Sequence, residues 1–220
     1  MLSATVAHEI GNPLAGLKMR LQMLLRKNAV DGPVRGDLER MLALVDRLAE
    51  FLTHLTGYVT PAAGAKARSV DLVRALQELE FILREEADRR HITLSLDLPE
   101  SPLPVCAPGQ HLHQVFMNLI LNALQATGER GSVRVVAERD GKTVRTTVRD
   151  SGPGLPEGVG EQLFEPLFTT KEQGTGLGLA IVRQLVNEMD GSVTLGNHPA
   201  GGAVAEVILP ERSTECGDES

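Results

Sequence analysis

Apolar residues recur every three or four positions along the opening quarter of the chain. Ile10, Leu14, Leu17, Leu21 and Leu24 form one series, the seam of a coiled coil or helical bundle, and it predicts a helix over residues 2–27. Asp31-Gly32-Pro33 reads as a turn. Leu38, Met41, Val45, Leu48, Leu52 and Leu55 then resume the rhythm as a second helix. The pair predicts an antiparallel hairpin with one apolar stripe on each helix. A lone hairpin covers such stripes poorly, so pairing with a second copy into a four-helix bundle is expected.

Beyond a Pro-, Ala- and Gly-rich stretch at Thr60–Ala67 the periodicity changes. Asp71–Arg90 is amphipathic, with Leu72, Leu76, Leu79 and Leu83 on one face. Ile92, Leu94, Leu96 and Leu98 alternate with polar residues, as in a half-buried strand. Gln110–Ala126 predicts a helix, Val133–Glu138 and Val144–Val148 strands around Asp140-Gly141, and Gly176–Met189 a helix. Ser192–Leu195 and Ala203–Leu209 predict the last strands. The fold class is α+β: a dimeric helical hairpin followed by a two-layer α/β sandwich. The expected domains are residues 1–60 for the hairpin, 61–67 for a linker, 68–212 for the sandwich and 213–220 for a loose tail.

Composition narrows the partners. Among 220 residues there is no Trp, one Tyr and five Phe, too few for stacking on single-stranded nucleic acid. The net charge of −7 disfavours a polyanion-binding surface, so no nucleic-acid partner is expected. Cys106 and Cys216 stand far apart, without metal-ligand spacing, and read as reduced thiols of a cytoplasmic protein. No apolar run is long enough to span a bilayer. Because His8 follows so soon after Met1, the chain is expected to be the catalytic part of a longer protein. Any membrane attachment would come through a sensor region outside it.

Chemistry gathers in four segments. The first is Ala7-His8-Glu9-Ile10-Gly11-Asn12-Pro13-Leu14. On a helix His8 is rotated roughly 200° from Ile10, so it lies off the seam, and Asn12 follows one turn later on its face. Imidazole titrates near about 6.5, which leaves a neutral nucleophilic nitrogen at cell pH. The carboxylate of Glu9 can hold one ring N–H while the other nitrogen attacks. A solvated surface histidine is the plain alternative. A His-Glu-x-x-His zinc site is a poor one, because Asn12 occupies the second ligand position. Pro13 inside the helix costs about 3 kcal/mol.

The other three segments suit a nucleotide. Asn118 and Asn122 lie four apart on one helix face; amide oxygens are hard donors that suit Mg²⁺, and capping or surface asparagines are the alternative. Asp150-Ser151-Gly152-Pro153-Gly154 follows a strand. Its carboxylate can accept a hydrogen bond from an exocyclic amine such as that of adenine, although such a turn is often only a turn. Gly174-Thr175-Gly176-Leu177-Gly178 leads into a helix whose N–H groups and dipole suit phosphates. It lacks the Gly-Lys-Ser/Thr ending of a P-loop and the spacing of a dinucleotide fold.

Taken together, these segments resemble the transmitter core of bacterial sensor histidine kinases, over about Ser3 to Pro210. His8–Pro13 resembles the family's H box, Gln114–Ala126 its N box and Asp150–Gly154 its first glycine box. Phe164-Glu165-Pro166-Leu167-Phe168-Thr169-Thr170-Lys171 resembles its F box, and Gly174–Gly178 its second glycine box. The H and F segments are worded most like the nitrogen-regulatory type. The resemblance implies a dimerising phosphotransfer hairpin and a Bergerat-fold ATP-binding domain acting as a protein-histidine kinase. It implies that His8 attacks the γ-phosphate of ATP with Glu9 as base or orienter, that Asn122 holds Mg²⁺ with Asn118 in support, and that Asp150 reads adenine. Gly152 and Gly154 would shape that turn. Lys171, Gly174, Thr175, Gly176, Leu177 and Gly178 would border a lid over the phosphates. The phosphoryl group would pass to an aspartate of a response regulator receiver domain, and Asn12 would support its later removal. One departure is Gln125, where many members carry Lys or Arg. Two rival functions remain open: an ATP-binding scaffold without catalysis, and an ATPase or serine kinase with the same ATP fold.

Overall fold

The computed structural model describes residues 4–26, 34–42, 45, 67–171, 175–211 and 216, with the backbone alone at 4–12, 15 and 26. The chain divides into two compact units, Met1–Ala63 with Pro166–Gly178 and Gly64–Glu165 with Leu179–Ser220.

In the first unit, helix α1 spans Ala4–Arg26 and runs through Pro13. The proline lacks the N–H that would donate to the Glu9 carbonyl one turn back. Helix α2 is described over residues 34–42. Leu21 and Val45 of the expected seam are buried, Leu14 and Leu38 are half-buried, and Leu17, Leu24 and Met41 stay exposed. Leu48, Leu52, Leu55 and most of the linker lie outside the described residues.

The second unit is built on a five-stranded sheet in the order β2 (Thr93–Asp97), β4 (Ser132–Asp140), β5 (Thr143–Asp150), β7 (Ala203–Pro210), β6 (Ser192–Asn197). β2 runs parallel to β4, and the other pairs are antiparallel. Helices α3 (Leu72–Arg89) and α4 (Gly109–Ala126) pack on each other, α3 against β2 and α4 against β4 and β5. The core between the layers is Leu72, Leu76 and Leu79 of α3, Leu112, Phe116 and Ile120 of α4, and Val133, Val135, Val144 and Val148 of the sheet. Helix α5 (Gly178–Glu188) adds Ile181, Val182 and Leu185 to the buried set.

Asp71 starts α3. Its carboxylate accepts the Val73 N–H at 3.1 Å and the Leu103 N–H at 3.0 Å, an N-cap of the kind that stabilises a helix by about 1 kcal/mol. Two short strands that the pattern did not predict, β1 (Arg68–Asp71) and β3 (Pro104–Ala107), pair antiparallel beside it. The start of α5 also moves, from the expected Gly176 to Gly178. Gly176 has φ +67°, which a right-handed helix excludes.

The cysteines require correction. Cys106 of β3 and Cys216 are joined by a disulfide, with their Cα atoms 5.6 Å apart, a separation that bridged cysteines normally show. They are not the two separate thiols their distance in sequence suggested. Glu211, near the end of the expected sandwich, forms a bridge to Val105 and pairs with Arg139 at 2.7 Å. Nδ1 of His113 lies 3.0 Å from the Gly109 carbonyl at the start of α4, and His111 is half-buried. No helix among the described residues is long and apolar enough to cross a membrane.

Candidate functional site

Alternation along β5 buries Val144, Thr146, Val148 and Asp150 on one side. Strand period therefore delivers a carboxylate to the core face at the strand's end. The hydrogen bonds that Asp150 accepts both fall on Oδ1, from Gly152 N–H at 2.8 Å and Ala203 N–H at 3.2 Å. Among the described residues nothing donates to Oδ2, so that oxygen suits an incoming N–H donor. The next residue is pinned as well: Ser151 Oγ accepts the Ser132 N–H at 2.8 Å, and the Ser151 N–H donates to the Ser132 carbonyl at 3.0 Å.

The turn then meets the end of α4. A Cβ on Gly152 would lie 2.6 Å from the Ala126 carbonyl oxygen, so only glycine lets the turn approach the helix this closely. Gly154, at φ +81°, has Asn197 Oδ1 where its Cβ would be, 2.6 Å away. On α4, Asn118 and Asn122 are half-buried beside the apolar face of Leu112, Val115, Phe116, Leu119, Ile120, Ala123 and Leu124. The structure thus brings the paired asparagines, Asp150, Gly152 and Gly154 into one unit, with Gly152 meeting the end of the helix that carries the asparagines.

The remaining predicted residues belong to the other unit. Leu167, itself at φ +69°, donates its N–H to the Gly176 carbonyl at 2.9 Å. That bond closes the base of the intervening segment. Thr169 Oγ1 accepts the Lys171 N–H at 3.1 Å, and Thr175 Oγ1 accepts the Leu177 N–H at 3.5 Å, just before α5 begins at Gly178. Leu177 is buried and Lys171 exposed. Gly174 lies outside the described residues. His8, Glu9 and Asn12 occupy consecutive turns of the α1 backbone, and their side chains lie outside the described residues. Phe164 is buried, with the Arg183 guanidinium 4.0 Å from its ring centre.

Sequence reasoning missed three contributors: the Ser151 hydroxyl, the Ala203 N–H and the Asn197 carboxamide. A backbone N–H has no signature in the sequence. An asparagine at a strand end reads as a turn former, and nothing local links Asn197 to a segment 42 residues earlier.

The donor chemistry fits a magnesium nucleotide. An open carboxylate oxygen suits an exocyclic amine, and amide oxygens suit a hard cation. Among the described residues no three His, Cys, Asp or Glu side chains gather as a metal cage. A cation here would keep water and phosphate oxygens as ligands, as Mg²⁺ does.

Comparison with known proteins agrees with this geometry. Residues 108–213 match the family of histidine kinase-, DNA gyrase B- and HSP90-like ATPases, and residues 1–56 match the His Kinase A phospho-acceptor domain. An ATPase-type sandwich preceded by a phospho-acceptor segment defines the class. The chain belongs to the two-component sensor histidine kinases, of which it is a transmitter core. It is 36% identical over 94% of its length to the C4-dicarboxylate transport sensor protein DctB of Pseudomonas aeruginosa, covering 35% of that protein. It is 32% identical over 97% of its length to sensor histidine kinase ZraS of Escherichia coli K12, covering 46% of it. The chain thus spans less than half the length of these relatives. The catalytic domain of histidine kinase ThkA superposes with a TM-score of 0.63 at 33% identity, over 66% of this chain and 96% of that one. ThkA in complex with response regulator protein TrrA gives 0.69 at 28% identity, over 95% of this chain and 60% of that one. Full-length ShkA in complex with AMPPNP gives 0.74 at 27% identity, over 96% of this chain and 46% of that one.

Proposed function

We propose that this core phosphorylates its own His8 from ATP and passes the phosphoryl group to an aspartate on the receiver domain of a response regulator. The observation that carries the reading is Asp150, buried, with Oδ1 held by two backbone N–H groups and Oδ2 open among the described residues, in a chain that also bears the phospho-acceptor segment with His8. The complexes of ShkA with AMPPNP and of ThkA with TrrA support both halves of the reaction.

In the step itself a ring nitrogen of His8 bonds to the γ-phosphorus as the bond to the β–γ bridging oxygen breaks, leaving ADP. Glu9 holds the opposite ring N–H and takes its proton as the imidazole becomes cationic. Asp150 accepts the adenine amine. Lys171, Gly174, Thr175, Gly176, Leu177 and Gly178 line the phosphates, and Lys171 offers the cation that Gln125 does not. Asn122, with Asn118 beside it, would hold Mg²⁺, which neutralises the charge developing on the phosphoryl oxygens. Removal of magnesium with a chelator is expected to stop labelling, and undiminished labelling would remove the metal role.

His8→Gln is expected to abolish acid-labile labelling from γ-labelled ATP while ATP binding persists. Acid-labile label retained by that variant would overturn the reading, and base-labile phosphate on serine would favour the serine-kinase rival. Asn12, one turn after His8, would align water for dephosphorylation of the regulator. Asn12→Ala is then expected to slow that reaction at least several-fold with His8 labelling kept, and an equal rate would discard the role.

The same reading assigns residues 1–60 to the dimerising hairpin, 61–67 to the linker on which the domains move, 68–212 to the catalytic domain and 213–220 to a tail. The core would work in the cytoplasm, and cell fractionation of the whole protein checks this. The wording of the H and F segments favours the nitrogen-regulatory subtype; faster transfer to receivers of that class than to others would support it, and no preference would count against it.

A further inference from the structure

We infer that Asn197 is a positioning residue for nucleotide recognition: it clamps the far end of the turn that begins at Asp150 and thereby fixes the direction of the open Asp150 oxygen. The inference rests on the reading of Asp150 as the adenine contact.

Asn197 ends β6. Its Oδ1 accepts the Leu155 N–H at 2.6 Å, and its Nδ2 donates to the Leu155 carbonyl at 3.0 Å. A carboxamide presents a donor and an acceptor as a peptide group does, so this side chain pairs with Leu155 as a neighbouring strand would. An asparagine acting only as a turn former bonds its own backbone about two residues on. Asn197 instead reaches back 42 residues in sequence. The fit leaves no spare room, since the same Oδ1 fills the place of a Cβ on Gly154.

The turn that follows Asn197 holds the other end of the same segment. His198 N–H donates to the Gly202 carbonyl and Gly201 N–H to the His198 carbonyl, each at 2.9 Å. That folds Gly202 against Asp150 so closely that a Cβ there would lie 1.9 Å from the Asp150 carbonyl oxygen. Ala203 N–H then reaches Asp150 Oδ1 at 3.2 Å. One β6–β7 turn therefore grips both ends of the 150–155 segment, by backbone at Asp150 and by the Asn197 side chain at Leu155. With the Leu155 end released, the carboxylate would keep its Oδ1 bonds while the turn beside it rocked. The precision of Oδ2, rather than the fold, is what the clamp protects.

The test uses the full chain with Asn197→Ala and Asn197→Asp; the aspartate keeps the acceptor for Leu155 N–H but sets an acceptor against the Leu155 carbonyl. Kd is measured for ATP and for GTP, whose base presents a carbonyl where adenine presents an amine. His8 labelling is followed as a function of ATP concentration. Asn197→Ala is expected to weaken ATP binding about tenfold, to shrink the preference for ATP over GTP, and to raise KM with kcat at saturating ATP nearly unchanged. Asn197→Asp should fall between Asn197→Ala and the unsubstituted chain. An unchanged ATP-to-GTP ratio in both variants overturns the inference, whether or not the melting temperature drops. Should Asn197→Ala not fold, hydrogen exchange at the Leu155 amide of the unsubstituted chain decides: protection supports the clamp, and exchange at the unprotected rate overturns it. If the unsubstituted chain binds ATP and GTP equally, the adenine reading itself has failed and the inference goes with it.

Discussion

At Asp150 one carboxylate oxygen is held by backbone N–H groups, and among the described residues nothing donates to the other. Gly152 and Ala203 both donate to Oδ1, which leaves Oδ2 as the atom proposed to meet the adenine amine. Asp150→Asn is therefore a sharp test. The amide oxygen can take over both backbone bonds, so the turn should survive, but the new NH₂ would face the adenine amine as donor against donor. A hydrogen bond to a charged partner contributes about 1.5–3 kcal/mol, so ATP affinity is expected to fall roughly 10- to 150-fold with little change in melting temperature. Calorimetric titration measures this, and affinity within twofold of the unsubstituted chain would remove the recognition role. Asp150 was legible in the sequence because Asp-x-Gly-x-Gly after a strand carries its own geometry. Asn118 and Asn122 were legible because helical spacing puts them on one face. Ser151 and Asn197 were not, since each acts across a tertiary contact that no local pattern encodes.

Elements with a long apolar period were readable almost to the residue. α3 begins after its Asp71 cap, and α4 covers Gly109–Ala126, because each buries an uninterrupted stripe. β1 and β3 were invisible. Each has four residues, too few for an alternation to declare itself, and their pairing is decided by packing at the start of α3. The position of β3 also explains the cysteines. Cys106 pairs across the ladder with Ser69 of β1, and Cys216 is bonded to it over a separation of 110 residues. Spacing alone cannot reveal a partner that the fold carries back. A crosslink closing so long a loop stabilises by about 4–5 kcal/mol in the chain-entropy treatment, and a reducing cytoplasm would keep the pair as thiols. The protein purified without reductant is expected to yield no free thiol when unfolded, and added reductant should lower its melting midpoint. Two titratable thiols in that sample would remove the bond.

At the scale of the molecule, the apolar residues that α1 and α2 leave exposed concern the second copy. Leu17 is 46% exposed, Leu24 43% and Met41 53%, though all three lie on the seam that the sequence period defines. Full burial of such a side chain contributes about 1.5–3 kcal/mol. Covering what remains exposed of these three in each of two protomers therefore gives roughly 4–9 kcal/mol. Association costs about 4–15 kcal/mol, so these positions alone would make a weak dimer. The sequence period continues the seam through Leu48, Leu52 and Leu55. The chain is thus expected to sediment as a dimer at micromolar concentration. Leu17 and Leu24 stand one heptad apart, and the double change Leu17→Glu with Leu24→Glu sets four carboxylates into the interface of the pair. That variant is expected to sediment as a monomer. It should still bind ATP within about twofold of the unsubstituted chain, because Asn118, Asn122 and Asp150 belong to a unit with its own core. A variant that stays dimeric would show that the seam is covered from within its own chain. A variant that loses ATP binding along with the dimer would show that the catalytic unit depends on the bundle, against the independence that its buried sandwich leads us to expect.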